Sequence, residues 1–150
     1  AITRLIDMGV KPFLVASSIQ AIMAQRLVRV ICPDCKVDDP APNKFLLKVL
    51  QFTDEDLAQA KFMKGAGCKR CSGSGYRGRR GIFELLIMNN ELRQLAMERA
   101  PITKLRQAAL ASGMRNLMGD GKLKAMKGMT TIDEIARITK AEGVVGEAAA

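Results

Sequence analysis

The chain has 150 residues, 48% of them hydrophobic and 26% charged, which excludes a disordered chain and leaves room for one ordinary domain or two small ones. Its 24 basic and 15 acidic residues give a net charge of +9, which admits an acidic partner. Aromatics make up only 4% and the two charge signs are interspersed, so no nucleic-acid partner is expected.

In chain order, "AITRLIDMG" reads as an amphipathic helix with Ile2, Leu5 and Ile6 on one face and Gly9 as its stop. A sequence that opens inside a helix, without a signal segment, is expected to be a piece of a longer protein. Phe13–Ala24 predicts a second helix, and "QRLVRVI" a strand that delivers the chain to Cys32. "KFLLKVL" and "TDEDLAQAKFM" predict short helices, the second capped by Thr53 and favoured by Asp54, Glu55 and Asp56. "GRRGIFELLIM" reads as a turn into a strand. From Asn90 the pattern turns helical: Leu92, Leu95 and Ala96, then Ile102, Leu105 and Ala109 after Pro101. A third helix follows through Met114, Leu117 and Met118, expected to break at Gly119 and Gly121. Thr131 to Glu134 fits a capping box ahead of Ile135 and Ile138, and the last residues are expected to fray. The nine methionines fall mostly on these stripes and read as core filling. No apolar run approaches the roughly 20 residues of a membrane span.

Chemistry concentrates in four cysteines. Cys32 and Cys35 form one C-x2-C pair, Cys68 and Cys71 another, and the chain has no other cysteine and no histidine. Such pairs aim two sulfurs at one point from one tight turn, and two turns complete a tetrahedron. The 32 residues between the pairs need only loop out. A four-thiolate site suits Zn2+, with an iron tetrathiolate as the alternative; disulfides require an oxidising compartment that nothing here indicates. Four protein ligands leave no open coordination position, so the metal is expected to be structural. Lys36, Lys69, Arg70, Arg77, Arg79 and Arg80 lie near the ligands in sequence, at hand to offset the negative charge of a thiolate-bound dication.

Gly73-Ser-Gly75-Tyr-Arg-Gly78 matches G-x-G-x-x-G letter for letter, but a cysteine turn precedes it and a strand follows, where a nucleotide loop needs a strand and then a helix. These glycines are expected to let backbone N–H groups approach the sulfurs. No G-x-x-x-x-G-K-[ST] occurs, and "GDGK" at Gly119–Lys122 lacks both the first glycine and the Ser/Thr. No complete active site assembles, so neither catalytic nor cofactor-binding residues are assigned.

"AITRLIDMGVKPFLVASSIQAIMAQRLVRVICPDC", "GCKRCSGSGYRGRRGIFELL" and "TTIDEIARIT" together resemble the C-terminal part of the type II secretion and type IV pilus assembly ATPases, from Ala1 to about Lys140. The resemblance implies an α+β, mostly α chain. Residues 1–31 would end a RecA-like α/β motor domain, 32–81 form a tetracysteine zinc-binding insert, and 82–142 a C-terminal helical subdomain, with 143–150 a flexible tail. It places Zn2+ on Cys32, Cys35, Cys68 and Cys71, and leaves ATP and Mg2+ to the parent protein, whose phosphate-binding boxes lie upstream. The parent would be a homo-hexamer, cytoplasmic and peripheral at the inner membrane, meeting inner-membrane platform proteins; this chain alone would hydrolyse no ATP. Two other readings stand beside it. "CKRCSGSG" fits the knuckle of a DnaJ-type binding module, although Cys32–Cys35 lacks its glycines. A rubredoxin-like iron protein shares the ligand set but is usually acidic and aromatic-rich.

Overall fold

The computed structural model describes residues 1–140; the expected tail at 143–150 lies outside them. Contacts divide the chain into two compact units, one of residues 1–24 and 83–116, the other of residues 25–82 and those from Leu117 onward. Among the described residues, eight α-helices and four strands alternate, a mixed α and β fold.

In the first unit, α1 (Ile2–Asp7) buries Ile2 and half-buries Leu5 and Ile6, the stripe that the sequence predicts. Helix α2 (Pro12–Ser18) begins on a proline, whose missing N–H is no loss in a first turn. It ends earlier than expected. Residues 21–24 do not continue the helix but open β1 (Ala21–Ile31), where they alternate exposed and half-buried. Ala and Met favour a helix locally, yet pairing with β4 (Tyr76–Ile87) and a bond from the Met88 N–H to the Gln20 carbonyl (2.9 Å) hold this stretch extended. Helix α5 (Asn90–Met97) starts at Asn89, whose side chain accepts the Leu92 N–H at 2.8 Å. Its Arg93 donates to the Ala16 carbonyl and to Gln20. With α6 (Ile102–Ala111) these helices enclose Ile2, Val15, Leu92, Ala96, Leu105 and Ala109. Ile102 is 62% exposed, outside the stripe predicted for it, because Pro101 starts the helix with Leu105 already facing inward.

The second unit carries the segment between the cysteine pairs. Strand β2 (Lys36–Asp38) pairs antiparallel with β3 (Met63–Gly65), neither of them foreseen; the helical stretch expected through Met63 stops at Gln59, and Met63 already belongs to β3. Between them lie α3 (Lys44–Val49), capped by Asn43, and α4 (Asp54–Gln59), which Thr53 and Asp56 close in a full capping box. Helix α7 (Leu117–Met126) runs unbroken through both glycines. Gly121 is there for packing: a Cβ on it would lie 2.9 Å from two carbons of Ile135, so glycine lets α7 settle onto α8 (Ile132–Lys140). Lys122 Nζ reaches back to the Gln51 carbonyl (2.6 Å) and Asp56 (2.9 Å) and lies over the Phe52 ring, pinning the α3–α4 loop. Among the methionines Met88 and Met118 are buried while Met8, Met23 and Met97 are exposed, so core filling holds for only part of them.

The capping box at Thr131 is half of what the sequence predicts. Thr131 Oγ1 accepts the Glu134 N–H at 3.2 Å, but the Glu134 carboxylate does not return to the cap. It is fully buried and accepts the Arg29 backbone N–H (3.0 Å), the Arg29 guanidinium (2.7 and 3.0 Å) and the Arg137 guanidinium (2.7 and 3.0 Å). Burial pushes this carboxyl up, but the bonds from Arg137 and Arg29 prevail and hold it down to about 2.

Two predictions follow from α7 and α8. Gly121→Ala gains about 1 kcal/mol of helix propensity but overpacks against Ile135 at about 1–3 kcal/mol, so it lowers the unfolding midpoint, and Ile135→Val recovers part of the loss. For Glu134, a depressed folded-state pKa means the stabilisation is whole above the ordinary value of 4.5 and disappears as pH falls toward about 2. Glu134→Gln is therefore less stable than the parent chain near neutral pH, and denaturant titrations repeated downward through that window show the gap closing.

Candidate metal centre

Each cysteine pair occupies one 3-10 turn. Cys32 follows the last residue of β1 and leads into Pro33–Cys35; Cys68 leads into Lys69–Cys71. In each, the N–H of the second cysteine donates to the carbonyl of the first, at 3.3 and 3.2 Å. The β2–β3 ladder, with Lys36 opposite Gly65, brings the two turns together, and the Ala66 N–H donates to the Cys35 carbonyl at 2.8 Å. The 32 intervening residues thus loop out, as their spacing requires.

The four sulfurs all lie within 4.8 Å of one another. Cys32–Cys68, Cys35–Cys71 and Cys68–Cys71 are 3.9, 3.8 and 3.7 Å apart. A tetrahedron built on Zn–S bonds of ~2.3 Å has an edge of about 3.8 Å, so the cluster has the dimensions of a four-thiolate site. The same distances are far beyond the ~2.05 Å of a disulfide, and all four cysteines are free. Cys32 and Cys71 are buried, Cys35 and Cys68 half-buried.

Two backbone N–H groups point at one of the four sulfurs. Cys71 Sγ accepts from Cys68 (3.2 Å) and Gly75 (3.3 Å). The Cys68 N–H holds this thiol down to about 6 against its burial, and Gly75 adds to the effect. Burial instead pushes Cys35 up to about 12, and raises Cys32 as well. At the rim, the Asp34 carboxylate stands 3.7 Å from Cys32 Sγ and is held by Arg70 (3.3 Å) and Arg77 (3.4 Å). Two of the six basic residues named from sequence are thus anchored beside the cluster, through an aspartate whose role the sequence did not announce.

The glycine run has a packing reason. A Cβ on Gly65 would sit 2.0 Å from the Gly75 carbonyl oxygen, and one on Gly75 would sit 2.7 Å from the Gly65 oxygen, so the chains entering and leaving the second turn touch backbone to backbone. The Gly75 carbonyl then accepts the Cys32 N–H at 2.9 Å, linking the two turns directly. The chain continues from there into β4, not into a helix, which removes the phosphate-loop reading of G-x-G-x-x-G.

Residues 1–137 match the family model described as "Type II/IV secretion system protein". The chain belongs to this family. It is 39% identical over 135 residues to the type IV pilus assembly ATPase PilB of Thermus thermophilus, covering 90% of this chain and 15% of that protein. It is 40% identical over 144 residues to the type II secretion system protein E of Pseudomonas aeruginosa, covering 95% and 28%. The type II secretion system ATPase E of Vibrio cholerae is 38% identical over 140 residues, covering 93% and 27%. The chain therefore spans little more than a quarter of these relatives at most, and it resembles secretion and pilus members of the family equally well.

The glycine packing separates two neighbouring substitutions. Gly65→Ala collides with backbone and should cost about 3 kcal/mol or more, whereas Gly73→Ala, with open space around it and φ of +76°, should cost only about 1–2 kcal/mol for its left-handed backbone. Chemical denaturation of the two variants against the parent chain checks the order.

Proposed function

We propose that this chain works as part of an ATPase that drives type II protein secretion or type IV pilus assembly, and that Cys32, Cys35, Cys68 and Cys71 hold one structural Zn2+ in it. The sulfur spacing, at the edge length of a zinc tetrathiolate, is the observation that carries the metal assignment. With four protein ligands such an ion has no position for substrate and acts as a cross-link between the two turns. The motor assignment rests on the family and on relatives named as ATPases.

The 150 residues contain no phosphate loop, so ATP and Mg2+ would be bound by other parts of the protein. In this reading residues 1–31 close a RecA-like motor domain, 32–81 form the metal-binding subdomain and 82–142 a helical subdomain. The assembly would be a homo-hexamer at the cytoplasmic face of the inner membrane, docked on platform proteins. No helix among the described residues is long and apolar enough to cross a membrane. Because α7 and α8 share a compact unit with the cysteine cluster, the ion would brace these helices against the strands that carry the cysteines. The family match speaks against both the DnaJ-type module and the rubredoxin-like iron protein.

Elemental analysis of the purified chain should find one zinc per chain, and Cys68→Ser should lose it. Iron in place of zinc, with the visible absorption of an iron tetrathiolate, would overturn the metal assignment. The chain by itself should release no phosphate from ATP. Turnover that co-elutes with it through successive columns would overturn the division of labour.

A further inference from the structure

The segment from Met129 to Glu134 touches both strands that carry the cysteine turns. On β1, the Arg29 backbone N–H donates to Glu134 Oε1 (3.0 Å), the Arg29 carbonyl accepts from Thr130 Oγ1 (2.8 Å), and the Ile31 N–H donates to the Met129 carbonyl (3.0 Å). Cys32 is the next residue. On β4, the Tyr76 hydroxyl meets Thr131 Oγ1 at 2.7 Å, five residues after Cys71. The Arg29 guanidinium closes the gap, bonded to Glu134 and stacked 4.2 Å from the Tyr76 ring centroid. Thr130 and Glu134 are both fully buried and offer their polar groups from out of water, while the Arg29 side chain stays about half exposed.

From this arrangement we propose that Glu134 is a positioning residue for the metal centre, which it acts on through β1 without touching a sulfur. The proposal rests on the four-cysteine metal assignment above. Its physical basis is register. Cys32 meets Cys68 only if the end of β1 is held in place; the bonds at that end come from Gly75 and from Met129 in the turn before α8, and two residues further back from Thr130 and Glu134. Glu134 fixes two hydrogen-bonding groups of Arg29, main chain and side chain, on one carboxylate. Removing it takes the acceptor from the Arg29 N–H three residues before the first ligand, leaving that residue held by Thr130, and leaves Arg29 and Arg137 facing each other without their shared anion. Outer partners that orient metal ligands are typically worth about tenfold to a hundredfold in affinity. By linkage, metal binding should in turn tighten the docking of α8.

The test uses Co2+ as probe, because a cobalt tetrathiolate reports its own geometry through its d–d bands and its sulfur-to-metal charge transfer. Affinity is measured by competition with a chromophoric chelator for the parent chain, Glu134→Ala, Glu134→Gln and Lys122→Met. Lys122 anchors the α3–α4 loop of the same unit through the Gln51 carbonyl and Asp56, away from the cysteine strands, so it controls for general loss of stability. Glu134→Ala is expected to weaken Co2+ binding by about tenfold to a hundredfold and to broaden the d–d bands, Glu134→Gln by less, and Lys122→Met by less than about twofold. Should Glu134→Ala not fold, Glu134→Gln and Tyr76→Phe take its place, both expected to bind more weakly than Lys122→Met. Parent-like affinity and spectrum in the folded Glu134 variants would overturn the proposal, and so would an equal loss in Lys122→Met. A parent chain that takes up no cobalt would show that the metal assignment itself fails.

Discussion

Four sulfurs from two distant turns have to meet within the span of one tetrahedron, and the second unit is arranged around that demand. Side chains alone do not achieve it. The turns approach closely enough only because the backbone at Gly65 lies directly on the backbone at Gly75, where any Cβ would intrude. The same contact turns the Gly75 carbonyl toward the Cys32 N–H and the Gly75 N–H toward Cys71 Sγ, so one close approach serves both turns. The β2–β3 ladder then returns the chain across the long insert in register.

Beyond the two turns, other interactions hold the insert. Leu50 is fully buried, Phe52 and Phe62 meet edge to face at 5.5 Å, and Lys122 binds the loop between α3 and α4. The Lys61 N–H donates to the Met126 carbonyl at the end of α7. The insert is therefore a packed element resting on the C-terminal helices, with the cysteines closing its base. Helix α8 adds to that base through Glu134, whose carboxylate is bonded by Arg29 of β1 and by Arg137 of α8 itself.

The clustering of the four cysteines and the family could be read from the letters. C-x2-C twice, with no competing cysteine or histidine, leaves one way to assemble a four-sulfur site, and that inference uses only local turn geometry. Two helix starts were legible for the same reason: Thr and Pro act within a few residues of themselves, as at Thr53 and Pro101. What tertiary structure alone decided involves partners far apart in the chain. Residues 21–24 have helical letters and became a strand because β4 supplies their hydrogen bonds from some sixty residues away. Gly121 looked like a helix breaker and is a contact surface for Ile135. Glu134 looked like a local cap, but burial beside Arg29, 105 residues distant, made the tertiary bonds the stronger claim on its carboxylate. Propensity and spacing describe a residue's nearest neighbours; the competition for a buried charge or a backbone donor is settled only when the chain has folded and distant groups meet without water between them.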